Sequence, residues 1–379
     1  MITEIEIQGF KSFENVRLKL GGLNLFIGAN ASGKSNFFDA LRVLQGIGYG
    51  FTVDEIFNGK PKGATSEAWE GIRGGSGRAH FTRRGQPISE AGSVHLSVHL
   101  QAAPQRCFEY AIDLLPASGR MSSEVLKVGS RIDLQANDMS RTSLAEKAWG
   151  RVRFEKSSLL GQIEVIGLIR DMQRIDPLPS VLRQYSQSSG ALRMGERGES
   201  FATLVKLILR DDSLKSAYLS WLRQLTPLEL DDVTVLEGAL GEPLFALREG
   251  DSVLPAPILS DGTLRFAAIT AAFFQSDMPK ILTLEEIENG IHPSRLRLLL
   301  ELLKSQSRSG PQVFATTHSP VVLAWLDEKD YETTFLCKRE EETGASVITP
   351  LSEIPHLIEL VRKQPIGELF TEGWLEGAF

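Results

Sequence analysis

Apolar and polar residues alternate over the first part of the chain in the short stretches that are typical of β-strands. Residues 2–7 and 13–20 both alternate, and Gly9 interrupts the pattern between them. This arrangement predicts a β-hairpin. The apolar run at 23–27 stops at Gly28, which is the pattern of a short buried strand.

A second pair of alternating stretches lies at 94–100 and 108–114 and predicts an antiparallel hairpin with one buried face. His95 and His99 share one face of its first strand. Four residues at strand spacing separate them by roughly 13 Å. They therefore cannot chelate one metal ion, and a solvated sheet face explains them.

The pattern changes to a helical period after Gly33, where Phe37, Leu41 and Leu44 follow at spacings of four and three. Residues 58–92 are rich in Gly, Arg, Ser and Pro without a period, which predicts a mobile surface loop. We expect three glycines to end the helix between these two regions; they are Gly46, Gly48 and Gly50.

The composition excludes several classes of protein. A net charge of −7 argues against a surface covered in nucleic-acid-binding charge, although it leaves room for a local basic groove. The two cysteines, Cys107 and Cys337, lie in no metal-ligand spacing and build no disulfide framework. No signal peptide and no apolar run of membrane-spanning length occur, so a cytoplasmic protein with no membrane partner is expected.

Residues 28–35 match the pattern G-x-x-x-x-G-K-[ST] between a predicted strand and a predicted helix. Glycines there let backbone N–H groups surround phosphate oxygens, and the helix start favours an anion. Lys34 would place its charge on the β- and γ-phosphates, and the Ser35 hydroxyl would bind Mg²⁺. A glycine-rich turn that matches by chance is the alternative. The predicted nucleotide-binding residues of this loop are Gly28, Asn30, Ser32, Gly33, Lys34, Ser35 and Asn36.

A second apolar run at 280–284 ends in two adjacent carboxylates, Glu285 and Glu286. Burying both charges would be costly, so they are expected at the end of the strand, facing a cation or water. We assign Glu285 to Mg²⁺ and Glu286 to the attacking water. A solvated acidic loop is the alternative interpretation.

Two further segments complete the pattern. Ser260 and Gly262 open a predicted helix and form a second candidate anion site, although Ser-Asp-Gly is also a common turn. An apolar strand at 312–317 delivers His318 into a loop, where it is placed to contact a γ-phosphate. A lone histidine is more often a surface or core residue.

The order of these segments resembles the AAA/ABC-type ATPases of the SMC, RecF and overcoming-lysogenisation-defect group. Ile-Gln-Gly-Phe-Lys-Ser-Phe at 7–13 is similar to their opening strand, Leu-Ser-Asp-Gly-Thr at 259–263 to their signature, and residues 286–293 to their D-loop. The resemblance implies ATP and Mg²⁺ as cofactors, with Lys34, Glu286 and His318 as catalytic residues. It also implies a homodimer in which each P-loop faces the partner's signature.

We therefore predict an α/β fold of the ABC/RecF-like P-loop NTPase type, with a mixed sheet, an antiparallel β subdomain and a helical insertion. The predicted ranges are a first ATPase lobe at 1–160, a mainly helical insertion at 161–250 and a second ATPase lobe at 251–379. Neither a coiled coil nor a TOPRIM nuclease domain is expected, which resembles the stand-alone bacterial members. Glu285 stands where the family usually has Asp, and Gln162 is a guess for the Q-loop.

The resemblance also implies partners. The favoured function is ATP hydrolysis that switches a dimer, in DNA repair or anti-phage defence, coupled to a separate effector encoded nearby. An arginine cluster is a candidate for binding DNA, with ion-paired helix surfaces as the alternative. Its members are Arg170, Arg174, Arg183, Arg193 and Arg197.

Two other functions remain open at this point. In the first, ATP holds a signalling scaffold together and hydrolysis is incidental. In the second, the chain is the nucleotide-binding subunit of a transporter. The opening motif and Asp261 in the signature, where transporters usually carry Gly, argue against the transporter.

Overall fold

The computed structural model describes residues 1–62, 68–87, 92–136, 156–186, 192–225 and 229–377. Its strands are β1 (Ile2–Phe10), β2 (Phe13–Lys19), β3 (Leu23–Ile27), β4 (Val94–Ala103), β5 (Arg106–Leu115), β6 (Arg120–Val128), β7 (Arg131–Ala136), β8 (Met172–Ile175), β9 (Asp232–Glu237), β10 (Pro243–Glu249), β11 (Ser252–Pro255), β12 (Ile281–Leu284), β13 (Gln312–Thr317), β14 (Thr334–Arg339) and β15 (Ser346–Pro350).

The helices, numbered in the same way, are α1 (Lys34–Tyr49), α2 (Val53–Asn58), α3 (Lys156–Arg170), α4 (Pro179–Leu182), α5 (Phe201–Ile208), α6 (Asp212–Leu225), α7 (Asp261–Ala272), α8 (Pro293–Gln306), α9 (Pro320–Leu323), α10 (Leu357–Val361), α11 (Ile366–Thr371) and α12 (Trp374–Gly377).

Residue contacts divide the chain into two compact units. The first unit comprises Met1–Met172, Lys329–Leu357 and Leu375–Phe379, and the second comprises Gln173–Glu328 and Ile358–Trp374. Each unit is assembled from separate stretches of chain, whereas the ranges expected from the sequence are consecutive. Those ranges stay a prediction about domain organisation.

An antiparallel sheet with the order β2-β1-β4-β5-β6-β7 forms much of the first unit. Both hairpins expected from the alternating patterns are part of it. The apolar residues at alternate positions of 94–100 in β4 and 108–114 in β5 are buried because alternate side chains point to one face of the sheet. His95 lies opposite Asp113 and His99 opposite Glu109 on the other face, where His95 forms an ion pair with Asp113.

A second group of strands in the first unit carries the P-loop. Strand β3 pairs in parallel with β14, which pairs antiparallel with β15. Three aromatic side chains pack where α1 crosses these strands: the ring of Phe26 lies 4.3 Å from that of Phe37 and 5.0 Å from that of Phe335. This packing fixes the strand and the helix that the predicted phosphate-binding loop connects.

Of the three glycines expected to end α1, only Gly50 ends it, because the helix continues through Gly46 and Gly48. The small size of glycine allows close packing inside the helix instead. A Cβ atom on Gly48 would lie 2.8 Å from the backbone nitrogen of Arg170, at the end of α3. A periodicity argument cannot reveal a contact between two helices so far apart in the chain.

The second unit contains the parallel pair β12–β13, with β8 on the other side of β12, and the antiparallel group β11-β10-β9. Helices α5, α6 and α7 pack together here; the Tyr218 hydroxyl, for example, donates to the carbonyl of Ala267 at 3.0 Å. The range 161–250 thus holds strands as well as the expected helices. In the described part of the chain, no helix has both the length and the apolar character needed to span a membrane.

Candidate functional site

The loop between β3 and α1 can be built only with glycine at two positions. Gly28 has φ 140° and Gly33 has φ 112°, values that favour glycine. A Cβ atom on Gly28 would lie 2.2 Å from the Cys337 carbonyl oxygen, and one on Gly33 would lie 2.5 Å from the Ser346 hydroxyl. Glycine at positions 28 and 33 is therefore demanded by the local backbone and its neighbours.

The predicted phosphate-binding lysine is folded into its own loop. The Nζ atom of Lys34 donates to the carbonyl oxygens of Gly28 at 2.6 Å and Ala29 at 2.7 Å, and lies 3.4 Å from the Ser32 hydroxyl. The Lys34 residue is only 6% exposed. Such an arrangement holds a buried positive charge inside a ring of loop atoms, which suits an anion-binding site.

Residues outside the predicted motif support the start of α1. Asn36 does not face the loop; it donates from Nδ2 to the Ser12 hydroxyl at 2.7 Å. That hydroxyl also accepts from the hydroxyl of Ser346, at 2.8 Å. Arg73, from the glycine-rich region, donates to the carbonyl of Ser35 at 2.9 Å. Sequence reasoning missed these supports, although Ser12 lies inside the opening motif.

A cavity of 780 Å³ lies beside the loop, within the first unit. One wall is formed by the P-loop, and the other is formed by the end of β14 and the turn that follows it. Burial raises the pKa of the Cys337 thiol in this wall to about 12, so the thiol stays protonated. The lining residues are Ala29, Asn30, Ala31, Ser32, Cys337, Lys338, Arg339, Glu340, Glu341 and Glu342.

In the second unit, the predicted signature forms the start of α7. Ser260 is the N-cap residue, and its hydroxyl accepts from the backbone N–H of Thr263 at 3.1 Å. A Cβ atom on Gly262 would lie 2.3 Å from the Gly290 carbonyl oxygen, so glycine allows this helix start to touch the 286–293 segment. Ser260 and Asp261 are exposed.

The two carboxylates that follow β12 have different surroundings. All four residues of β12 are buried, Glu285 is partly buried, and Glu286 is exposed. Glu286 has φ 48°, an uncommon value for a residue with a side chain. Its backbone N–H donates to the Thr316 hydroxyl of β13 at 2.8 Å, which holds this conformation in place.

Glu286 also lies beside the predicted histidine. The Nε2 atom of His318 is 3.6 Å from Oε1 of Glu286, and the amide of Asn289 donates to Oε2. The backbone N–H of His318 donates to Glu288 at 2.5 Å. The structure thus brings Glu286 and His318 together at the carboxyl ends of two adjacent strands, β12 and β13. A carboxylate with a neighbouring imidazole is an arrangement that can orient and deprotonate a water molecule.

Two AAA-family descriptions match separate parts of the chain. Residues 168–324 match "AAA domain, putative AbiEii toxin, Type IV TA system", and residues 1–59 match "AAA ATPase domain". These two stretches of the chain are similar to AAA-family ATPase domains. The first match covers the signature, both carboxylates and His318, and the second covers the P-loop.

Solved SMC heads share the fold of this chain. An SMC head bound to the C-winged-helix domain of ScpA aligns with a TM-score of 0.55 and 14% identity, over 93% of this chain and 98% of that one. An SMC head with an extended coiled coil, bound to the C-terminal domain of ScpA and derived from Pyrococcus furiosus, aligns with a TM-score of 0.55 and 14% identity. That alignment covers 95% of this chain and 99% of the other. The predicted α/β fold of SMC-like type is confirmed.

An "ATP/GTP phosphatase" of Helicobacter pylori is 33% identical over 99 residues. The match covers 24% of this chain and spans about a quarter (26%) of the relative's length. It makes the chain similar to a nucleotide phosphatase over that stretch.

Three of the five arginines proposed as a DNA-binding cluster form ion pairs within the second unit. Arg183 contacts Asp261 at 2.6 Å, Arg193 contacts Asp277 at 2.8 Å, and Arg174 contacts Glu196 at 3.3 Å. Ion-paired surfaces, the alternative interpretation, describe these three residues. Sequence inspection could not choose between the two because the partners come from distant parts of the chain.

Gln162, the guess for the Q-loop, lies inside α3 and is fully buried. Its assignment to the Q-loop stays a prediction. Gln173, in β8, is also buried and bonds to the carbonyl of Met194 and the amide of Gln275.

Proposed function

We propose that the chain binds ATP at the P-loop and hydrolyses it with Glu286 and His318. Lys34 moves from the Gly28 and Ala29 carbonyl oxygens onto the β- and γ-phosphates, and the start of α1 adds its positive dipole end. Glu286 orients the attacking water and accepts its proton, while His318 contacts the γ-phosphate.

One observation carries this proposal more than any other. Glu286 is held in a left-handed backbone conformation with its carboxylate 3.6 Å from the His318 imidazole. Such strain costs on the order of 1–3 kcal/mol and persists only where the surroundings fix it, as the Thr316 hydroxyl does here. Strain of this kind clusters at active sites, which supports a catalytic role for Glu286.

Ser35 and Glu285 would hold Mg²⁺. Their hydroxyl and carboxylate oxygens are the hard donors that this ion prefers, and Glu285 already faces a cation, the Arg174 guanidinium at 3.2 Å. The chemistry that Mg²⁺ supplies when bound is neutralisation of charge on the β- and γ-phosphate oxygens. Glu285, in place of the usual aspartate, contributes a side chain that is longer by one methylene group.

The active form in this proposal is a homodimer assembled by ATP, in which Ser260 and Gly262 of one chain face the P-loop of the other. Two features of the second unit support it. The start of α7 is exposed at Ser260 and Asp261, and the neighbouring Ile258 is 65% exposed. An exposed apolar residue beside an anion-binding helix start suits a contact that forms only with nucleotide.

A role in DNA repair or anti-phage defence, with a separate effector chain, completes the proposal. The match to a toxin–antitoxin description supports the defence role. The SMC head described as bound to the C-winged-helix domain of ScpA supports a protein partner. The arginine cluster does not support DNA binding, since three of its members pair with carboxylates.

Nucleotide binding and phosphate release, measured on the same samples, test the proposal. Lys34→Ala removes the charge from the phosphate site, where a charged hydrogen bond is worth about 1.5–3 kcal/mol. We expect ATP affinity to fall about 10- to 100-fold, with unchanged affinity in the matched control Lys206→Ala, a surface lysine paired with Glu237. A Lys34→Ala protein with wild-type affinity contradicts the assignment. A scaffold with incidental hydrolysis would assemble equally well with ATP and with a non-hydrolysable analogue, and would act without turnover.

A further inference from the structure

Arg174 occupies a position beside the proposed metal ligand that no comparison assigns. It lies near the end of β8, the strand next to β12, and β12 ends directly before Glu285. The ends of these two neighbouring strands lie close together, because Arg174 contacts Glu285 at 3.2 Å. The arginine is therefore brought to Glu285 by the sheet order and not by nearness in sequence.

The guanidinium of Arg174 joins two carboxylates. Its Nη2 atom lies 3.2 Å from Oε1 of Glu285, and its Nη1 atom lies 3.3 Å from Oε1 of Glu196. The side chain of Glu285 is only 16% exposed, so this contact is screened less than a surface ion pair. A planar fork held at both Nη atoms fixes the orientation of the carboxylate that it contacts.

A second arginine holds the backbone of the same two residues. The buried Arg265 contacts the carbonyl oxygens of Glu285 at 3.3 Å and Glu286 at 3.4 Å. It also donates to Asp176, which follows β8, at 3.0 Å. Backbone and side chain at the end of β12 are thus fixed by two different arginines.

We propose that Arg174 is a positioning residue that holds the Glu285 carboxylate ready for the Mg²⁺ that accompanies ATP. A glutamate has one more rotatable bond than the aspartate usual at this place, and ordering it on metal binding costs conformational entropy. Because Arg174 already holds Oε1 of Glu285 before the metal binds, this entropy is not lost on metal binding. Groups that orient metal ligands in this way typically change metal affinity about 10- to 100-fold when removed.

This inference rests on the proposed function, because it needs ATP bound with a divalent ion. The test therefore uses Mn²⁺ as the metal probe and a non-hydrolysable ATP analogue, with free Mn²⁺ followed by electron paramagnetic resonance. Four proteins are compared: the wild type, Arg174→Gln, Glu285→Gln and the double variant. Analogue binding without metal is measured on the same four.

We expect Arg174→Gln to raise the Mn²⁺ dissociation constant about 10-fold or more, while analogue binding without metal is unchanged. In the Glu285→Gln background, the same substitution changes the Mn²⁺ dissociation constant little, because the carboxylate that Arg174 orients is gone. The matched control is Arg297→Gln, an arginine that pairs with Glu301 within α8, and it leaves the constant unchanged. Glu196→Gln removes the charge that contacts Nη1 of Arg174, and we expect it to raise the Mn²⁺ dissociation constant by less than Arg174→Gln does.

An unchanged or lower Mn²⁺ dissociation constant in Arg174→Gln overturns the positioning role, as does an equal rise in both backgrounds. A much lower melting temperature for Arg174→Gln than for Arg297→Gln would mean that the substitution disturbs the fold. Glu196→Gln is then used instead, and an unchanged or lower Mn²⁺ dissociation constant in that variant overturns the positioning role. A wild-type chain that binds no analogue overturns the proposed function, and the role of Arg174 with it. A wild type that binds while Arg174→Gln behaves identically overturns only the role of Arg174.

Discussion

The Nε2 atom of His318 lies 3.6 Å from the Oε1 atom of Glu286, at the ends of two parallel strands that are neighbours in the sheet. The contact depends on two further interactions: the Thr316 hydroxyl holds the backbone of Glu286, and Glu288 accepts from the backbone N–H of His318. The pair is therefore part of a fixed network and not a chance approach of two surface side chains.

Replacing Glu286 by glutamine keeps the size of the side chain and removes its ability to accept a proton. We expect ATP binding to stay within the error of the wild type and phosphate release to fall about 10²- to 10⁴-fold, the usual contribution of a general base. Steady-state phosphate release and a fluorescent-nucleotide titration measure the two quantities. Glu301→Gln, on the surface of α8, is the control; wild-type turnover in Glu286→Gln would exclude the carboxylate as the base.

The C-terminal region gives a stability prediction. Leu369 of α11 is 2% exposed, and Gly367 packs so closely on α9 that a Cβ atom would lie 2.5 Å from the Pro320 carbonyl oxygen. We expect Leu369→Ala to cost about 2–5 kcal/mol of stability and to lower the melting temperature. The exposed neighbour Glu368 provides the control, Glu368→Ala, which should melt with the wild type.

This packing also answers the question of what the apolar C-terminal residues contact. The sequence leaves two choices: packing on the chain itself, or docking of the last residues on an effector. Ile366 and Leu369 are buried within the described residues, which favours packing on the chain, while Phe379 lies outside them. A melting temperature in Leu369→Ala equal to that of the wild type would reopen the docking interpretation.

The ion pair on the antiparallel sheet predicts a pH dependence of stability. Nδ1 of His95 lies 2.7 Å from Oδ1 of Asp113, and this hydrogen bond raises the pKa of His95 and lowers the pKa of Asp113. The raised pKa stabilises the fold fully below about pH 6.5, and that contribution is lost as the pH rises through the folded value. The lowered pKa of Asp113 stabilises the fold above about pH 4, and that contribution is lost as the pH falls through the folded pKa.

The pair thus contributes most between about pH 4 and pH 6.5. Because both groups are partly exposed, the contribution is within about 1 kcal/mol. Melting temperatures of the wild type and Asp113→Asn should differ more at about pH 5.5 than at about pH 8, with His99→Asn as the control on the same strand. A difference that does not change with pH would show that His95 is not protonated in the pair.

The parts of the fold that could be predicted from the sequence are those with a local cause. The P-loop between β3 and α1 follows from glycines whose backbone conformation other residues rarely adopt, and the β4–β5 hairpin follows from alternation over its own length. The close packing of Gly48 and the ion pair of Arg174 could not be predicted in this way. Each depends on a neighbour brought in by tertiary packing: α3 for Gly48 and β12 for Arg174.

Assembly of two chains by ATP is the central claim, and light scattering on Glu286→Gln tests it most directly. This variant should retain bound ATP, so that Ser260 and Gly262 of each chain stay on the partner's P-loop. With saturating Mg-ATP we expect a molar mass twice that of the 41.8 kDa chain, and with ADP, or with Lys34→Ala added, the mass of a single chain. A Glu286→Gln protein that binds ATP to saturation and still scatters as a single chain would contradict the account.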